Sequence, residues 1–191
     1  MGAVFPLKCR VSVHPSLILW LSILVYLQPR LSLGFVLAAS FHELGHILAL
    51  NWMKKPPTGL TLHFMGASMD IPTLGYGQAI AAYAAGPAAS LLLGLYRRIV
   101  PVTGTVSLCL GLFNLLPVCG LDGSGILENL LCLRFSQAAA KRIVRLISLL
   151  LCGMAVPAAL FISSLHHLGL WLPMTAVLLL AKSADMVVRR G

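Results

Sequence analysis

The sequence predicts an all-α polytopic membrane protein of about six transmembrane helices, with a small β-strand or hairpin element between the second and third spans. Three observations predict it. Of 191 residues, 59% are hydrophobic; only five are acidic, against fourteen Lys plus Arg; and apolar stretches tile the chain, bounded by charges, prolines and glycines. A soluble domain of this length needs a larger polar share to cover its outside, whereas a lipid-facing exterior can stay apolar. The net charge of +9 belongs to the ends of apolar segments, where basic side chains anchor to headgroups. No Lys/Arg stripe is interleaved with exposed aromatics, so nucleic acid is excluded as a partner.

A spanning helix needs about 20 apolar residues at 1.5 Å rise each. Six segments meet or approach that length: residues 15–28, 31–53, 78–96, 101–117, 139–165 and 168–188. The first is short and extends toward Arg30, the second ends at "KKPP" and the third at "RR". Pro157 and Pro173 are expected to kink the last two. Between the second and third spans, apolar and polar residues alternate through Leu60, Thr61, Leu62, His63 and Phe64. That period of two predicts a strand or hairpin within 59–72, and "KCRVSV" at 8–13 is a candidate partner strand. "GILENLLCLRF", with Glu128 inside and Arg134 at its end, reads as an amphipathic helix at the membrane interface.

Basic residues also set the orientation. Lys8, Arg10, Lys54, Lys55, Arg134, Lys141, Arg142, Arg145, Arg189 and Arg190 fall on one side of these spans, and Arg30, Arg97 and Arg98 on the other. The excess predicts that both termini are cytoplasmic, in a cell membrane of bacterial type. The second and fourth spans then both run toward the cytoplasm. No small-residue cleavage site follows the first apolar stretch, so it is expected to be retained rather than removed as a signal peptide. Cys9, Cys109, Cys119, Cys132 and Cys152 are odd in number and form no CxxC, which suggests neither a disulfide framework nor a thiolate metal knuckle. The whole of 1–191 is expected to be one transmembrane domain, with its chemistry within 40–125 and accessory spans within 139–188.

That chemistry begins at "SFHELGHILAL", residues 40–50. On a helix, residues four apart share a face, so His42 and His46 can meet one zinc ion. Glu43 is rotated by about 100° from His42, beside the metal rather than on it. There a carboxylate can take a proton from the attacking water and pass it to a leaving amine. An ionisable residue at the centre of a span costs about 2.5 kcal/mol or more, which a chain gains nothing from unless the group is used.

A catalytic zinc needs a third protein ligand and an open position. Asp70, Asp122, Glu128, Asp185 and the remaining histidines are candidates. Asp122 stands out, in "NLLPVCGLDG" after the fourth span. Counted along their helices, residues 31–46 span about 22 Å and 103–116 about 20 Å on the same heading, so the two sites reach similar depth. Pro117, Gly120 and Gly123 would break the helix there, tolerable at membrane depth where the backbone faces protein or a wet cavity.

HELGH in one span, "AGP" in the next and "NLLPxxxLDG" at the end of the one after together resemble the site-2 protease family of intramembrane zinc metalloproteases. The likeness covers about residues 8–125 and looks most like the stage IV sporulation protein FB branch. It implies one zinc ion held by His42, His46 and Asp122, with Glu43 as general base. It further implies cleavage of a membrane-anchored or membrane-associated protein, such as a pro-sigma or anti-sigma factor, near the cytoplasmic face. Separate regulatory membrane proteins are an expected class of partner beside the lipid bilayer. The chain departs from the family pattern in two places: Ser90 stands where "GPxxN" has Asn, and Ser124 where "LDGG" has Gly. Asn114 matches the family's other asparagine. If these positions hold the substrate backbone or the developing oxyanion, Asn114 keeps the role and Ser90 offers a shorter hydroxyl.

The strand at 60–64 is expected to offer an edge on which an unwound peptide adds by main-chain pairing, with His63 a partly solvated strand residue. Two other classes use the same residues. A metal or proton transporter would conduct through them without hydrolysis, and a non-catalytic membrane binder would hold a single-span partner and leave it intact.

Overall fold

The computed structural model describes residues 10–63 and 66–166; Phe64, Cys9, Lys8, Asp185 and the whole of the expected sixth span lie outside them. The described chain runs β1 (Arg10–Val13), α1 (Pro15–Leu27), α2 (Pro29–Trp52), β2 (Gly59–His63), β3 (Gly66–Asp70), α3 (Tyr76–Leu95), a 3₁₀ turn (Tyr96–Arg98), α4 (Pro101–Asn114), α5 (Asp122–Cys132) and α6 (Gln137–His166). It divides into two compact units, the first reaching Phe113 and the second starting at Asn114.

Three helical stretches are long and apolar enough to cross a membrane: Pro29–Trp52, Tyr76–Arg98 and Gln137–Phe161. The expected six full-length spans are therefore not all present among the described residues. At 13 and 14 residues, α1 and α4 are each about 20 Å long, short of a hydrocarbon core of about 30 Å. The membrane reading itself rests on which residues are covered. In α2 the buried positions are Ser32, Gly34, Ala38, His42 and Leu50, while Leu33 is 64% and Leu48 57% exposed. Small and polar side chains inside, with large aliphatic ones outside, is the reverse of a water-soluble helix and the normal state of one in lipid.

Small residues let the helices of the first unit approach closely. A Cβ on Gly34 would come within 2.7 Å of Val102 on α4, and one on Gly45 within 2.6 Å of the Ala85 carbonyl on α3. Similarly, one on Gly94 would stand 2.9 Å from the Cβ of Leu108. In lipid there is no hydrophobic drive between helices, so this close backbone contact and the hydrogen bonds it permits hold the bundle. One such bond runs from Ser107 Oγ on α4 to the Ser90 carbonyl on α3, at 3.0 Å.

The sheet order is β1-β2-β3. β1 pairs parallel to β2, Arg10 opposite Gly59 through Val13 opposite Leu62. β2 and β3 form the expected hairpin, antiparallel from Gly59 opposite Asp70 to His63 opposite Gly66. This corrects one expectation. Residues 60–62 lie in the central strand with both edges paired, so β2 cannot supply a free edge to a peptide. The lateral order follows from β1, whose parallel pairing joins residues 49 positions apart and leaves no local trace in sequence.

In the second unit the chain breaks after Asn114 and resumes as α5 at Asp122, three residues earlier than the amphipathic pattern alone predicts. Gly120 adopts a φ of 93°, in the region open to glycine at little cost. Gly123 is equally constrained, because a Cβ there would run into the Leu115 and Leu116 carbonyls. The glycines around "LDG" therefore serve a tight return of the backbone. From α6, the buried Ser148 accepts the Cys119 N–H at 2.8 Å, satisfying a donor freed by the break.

Candidate metal centre

His42 and His46 lie one turn apart on the face of α2 that packs on α3. Ala38 and His42 continue the small-residue stripe, and His42 is 5% exposed. The two rings meet edge to face with centroids 4.9 Å apart, and their Nε2 atoms approach to 3.3 Å. Each ring is held from behind. His46 Nδ1 lies 2.8 Å from the Ala82 carbonyl, and His42 Nδ1 lies 2.9 Å from Ser90 Oγ. A carbonyl only accepts, so His46 carries its proton on Nδ1 and, when neutral, has a bare Nε2.

That geometry suits a tetrahedral zinc ion. Two imidazole nitrogens at 2.0–2.1 Å from one ion stand about 3.3 Å apart, the separation the two Nε2 atoms already have. Bonds from Nδ1 to protein acceptors are also the usual means of orienting metal-bound histidines. One ligand atom from each of His42, His46 and Asp122 lies within 4.8 Å of the others, and among the described residues no other His, Cys, Asp or Glu trio is so placed. Asp70 and Glu128 belong to no such group. Asp122 is the first residue of α5, with Leu121 as its cap in extended conformation, and is half-buried. Two nitrogens and one carboxylate leave a fourth position open, the ligand set of a catalytic rather than a structural zinc.

Glu43 follows His42 in sequence and is half-buried. Asn114 ends α4 and is also half-buried. Ser90 is placed differently from expectation. It is 0% exposed and its hydroxyl meets Nδ1 of His42, on the other side of the ring from the Nε2 that approaches His46. It stands behind the imidazole of His42. His63 is in the sheet, its ring 5.2 Å from that of His14 and its Nε2 3.4 Å from Ser68 Oγ.

Two further contributors are backbone groups, and only one of them leaves a mark in the sequence. The Ala82 carbonyl has no side-chain signal at all. Gly86 does have one, in "AGP": a Cβ on it would collide with the imidazole of His46, closest at Nε2. The glycine is what allows the ring to come so close to α3.

Known proteins resemble this chain in fold and in sequence. A structure search finds the site-2 protease of Methanocaldococcus jannaschii, with a TM-score of 0.67 and 18% identity over 97% of this chain and 94% of that one, which is a likeness of fold. A Synechocystis sp. protein provisionally named a zinc metalloprotease is 31% identical over 163 residues, covering 68% of this chain. The chain spans only 43% of that relative's length. The family model for peptidase family M50 matches residues 60–155, half of the sequence, and on that match the chain belongs to peptidase family M50.

Proposed function

We propose that this protein is an intramembrane zinc endopeptidase that cleaves membrane-anchored or membrane-associated proteins. The observation that carries the reading is the 3.3 Å convergence of the two Nε2 atoms, with Asp122 in the same group and a carboxylate next in sequence. His42, His46 and Asp122 would hold the ion. Zinc bound there would supply a Lewis acid and lower the pKa of the attacking water from about 15.7 toward 7.

The chain's own residues do the rest. Glu43 accepts the proton of the attacking water as the peptide carbonyl is struck, then returns it to the departing amine, so the leaving group departs neutral. The Ala82 carbonyl and the Ser90 hydroxyl keep both imidazoles turned with Nε2 inward. Asn114 is our candidate for holding the substrate backbone or its developing oxyanion through a side-chain N–H. A peptide must be unwound before its carbonyl is open to attack, and an unwound peptide needs hydrogen-bond partners in lipid. The outer edge of β3, residues 66–70, carries no strand among the described residues and is the edge we assign to that task in place of β2. Cleavage near the cytoplasmic face, with both termini on that side, is the orientation the basic residues favour.

The test uses purified protein in a bilayer with single-span substrates that include a pro-sigma factor, an anti-sigma factor and a signal-peptide remnant. Wild type should cut at least one of them. Glu43→Gln should abolish the cut while leaving zinc content unchanged, because it removes the proton carrier and spares the ligands. Undiminished cleavage by that variant would defeat the proposed mechanism, and metal flux without hydrolysis would favour a transporter.

A further inference from the structure

We infer that Ser90 is a positioning residue for the metal centre, holding the His42 ring through Nδ1 in either tautomer and accepting its Nδ1 proton when Nε2 binds the ion; the inference rests on His42 and His46 being ligands, as proposed above. The two histidines are supported unequally. His46 faces a carbonyl, an obligate acceptor, and is fixed with its proton on Nδ1. His42 faces a hydroxyl, which can donate or accept.

Two arrangements satisfy the contacts that link Ser90, His42, His46 and the Ala82 carbonyl. With a metal on both Nε2 atoms, His42 Nδ1–H donates to Ser90 Oγ, and His46 Nδ1–H donates to Ala82. Without a metal, two bare nitrogens 3.3 Å apart would face each other with lone pairs, which is unfavourable. The relief is a chain of donors: Ser90 O–H to His42 Nδ1, His42 Nε2–H to His46 Nε2, and His46 Nδ1–H to Ala82. Both imidazoles stay neutral in both arrangements. The proton on His42 moves from one nitrogen to the other, and the serine hydroxyl turns from donor to acceptor. An acceptor such as a carbonyl at this place would forbid the metal-free chain, and an alanine would leave Nδ1 unpartnered in the metal-bound state.

The location enforces this role. Ser90 is 0% exposed, and Gly111 packs on it so closely that a Cβ added there would come within 3.0 Å of the serine Cβ. The side chain thus has little space to turn elsewhere, and water has no access to replace it.

The test is zinc affinity by competition with a chromophoric chelator, with the visible spectrum of the cobalt-substituted protein as a second readout. Removing a second partner of this kind typically costs 10- to 100-fold in metal affinity. Ser90→Ala should therefore weaken zinc binding by about that factor and alter the cobalt bands, while its helical circular dichroism stays intact. Ser107→Ala is the control. Ser107 is equally buried and also loses one hydroxyl bond between α3 and α4, but it contacts the Ser90 carbonyl and not the imidazole, so affinity and spectrum should hold. Wild-type affinity in Ser90→Ala would overturn the inference. Equal losses in both serine variants would also overturn it, by making helix packing the cause. His42→Ala separates the two levels: if it keeps its zinc, the ligand reading itself fails, and if it loses zinc while Ser90→Ala does not, only the role of Ser90 fails.

Discussion

Replacing Gly86 with alanine is a small change with a large expected effect on the metal centre. The added methyl carbon would meet the His46 ring at Nε2, with Cε1 at 2.5 Å and Cδ2 at 2.7 Å. Non-bonded carbon atoms settle at about 3.5–4.0 Å, so the ring must retreat by about 1 Å or the helices must part. Either response costs about 1–3 kcal/mol as overpacking. The effect on zinc is larger than on stability, because a zinc–nitrogen bond of 2.0–2.1 Å does not survive a displacement of about 1 Å. Losing a direct ligand should exceed the 10- to 100-fold cost of losing its supporting partner. We therefore expect Gly86→Ala to bind zinc at least about 100-fold more weakly, measured by chelator competition, with its helix content unchanged. Gly77→Ala, on the same helix with nothing within 4 Å of the added carbon, should keep wild-type zinc affinity and gain up to about 1 kcal/mol of stability. A Gly86→Ala protein with zinc affinity within a few-fold of wild type would refute the claim that α3 shapes the site by backbone approach.

Two further substitutions probe the second unit. Asp122→Ala should purify with well below one zinc per chain, read by metal analysis after dialysis, and unchanged stoichiometry would point to another third ligand. Ser148→Ala removes the acceptor of the Cys119 N–H and should lower stability in denaturant titration by about 1 kcal/mol. Because that bond ties down the break leading to Asp122, the same variant should bind zinc more weakly, and a loss of stability with unaltered zinc binding would limit Ser148 to a structural role.

How much of this was legible beforehand depended on whether the signal was local. The bounds of α2 and α3 fell within two residues of their charge and proline limits, since Lys54, Lys55, Arg97 and Arg98 are features of composition. The hairpin was legible from alternation at Leu60–His63. The histidine pair was legible because spacing of four on a helix fixes a shared face. The position of β2 at the centre of its sheet was not, because that depends on β1 arriving from 49 residues away. Nor was the contact between Ser90 and His42, where the family likeness suggested contact with substrate. Its hydroxyl is committed to His42 only because Gly45 and Gly86 let α2 and α3 approach closely enough, a property of two helices that neither shows alone. The length of α4 was overestimated for a related reason: apolar residues continue past Asn114, yet Pro117 and Gly120 end the helix before its hydropathy does.

The most direct measurement of the central claim is metal-dependent cleavage by the purified protein. Substrate is incubated with the enzyme as isolated, after removal of metal by chelator, and after return of one equivalent of zinc, and the products are sized by mass spectrometry. A zinc endopeptidase in the bilayer will yield a cut within or beside the substrate's membrane segment that vanishes with the chelator and returns with a single zinc per chain. Cleavage that persists in fully metal-free protein, or zinc-replete protein that binds every substrate and cuts none, would contradict it.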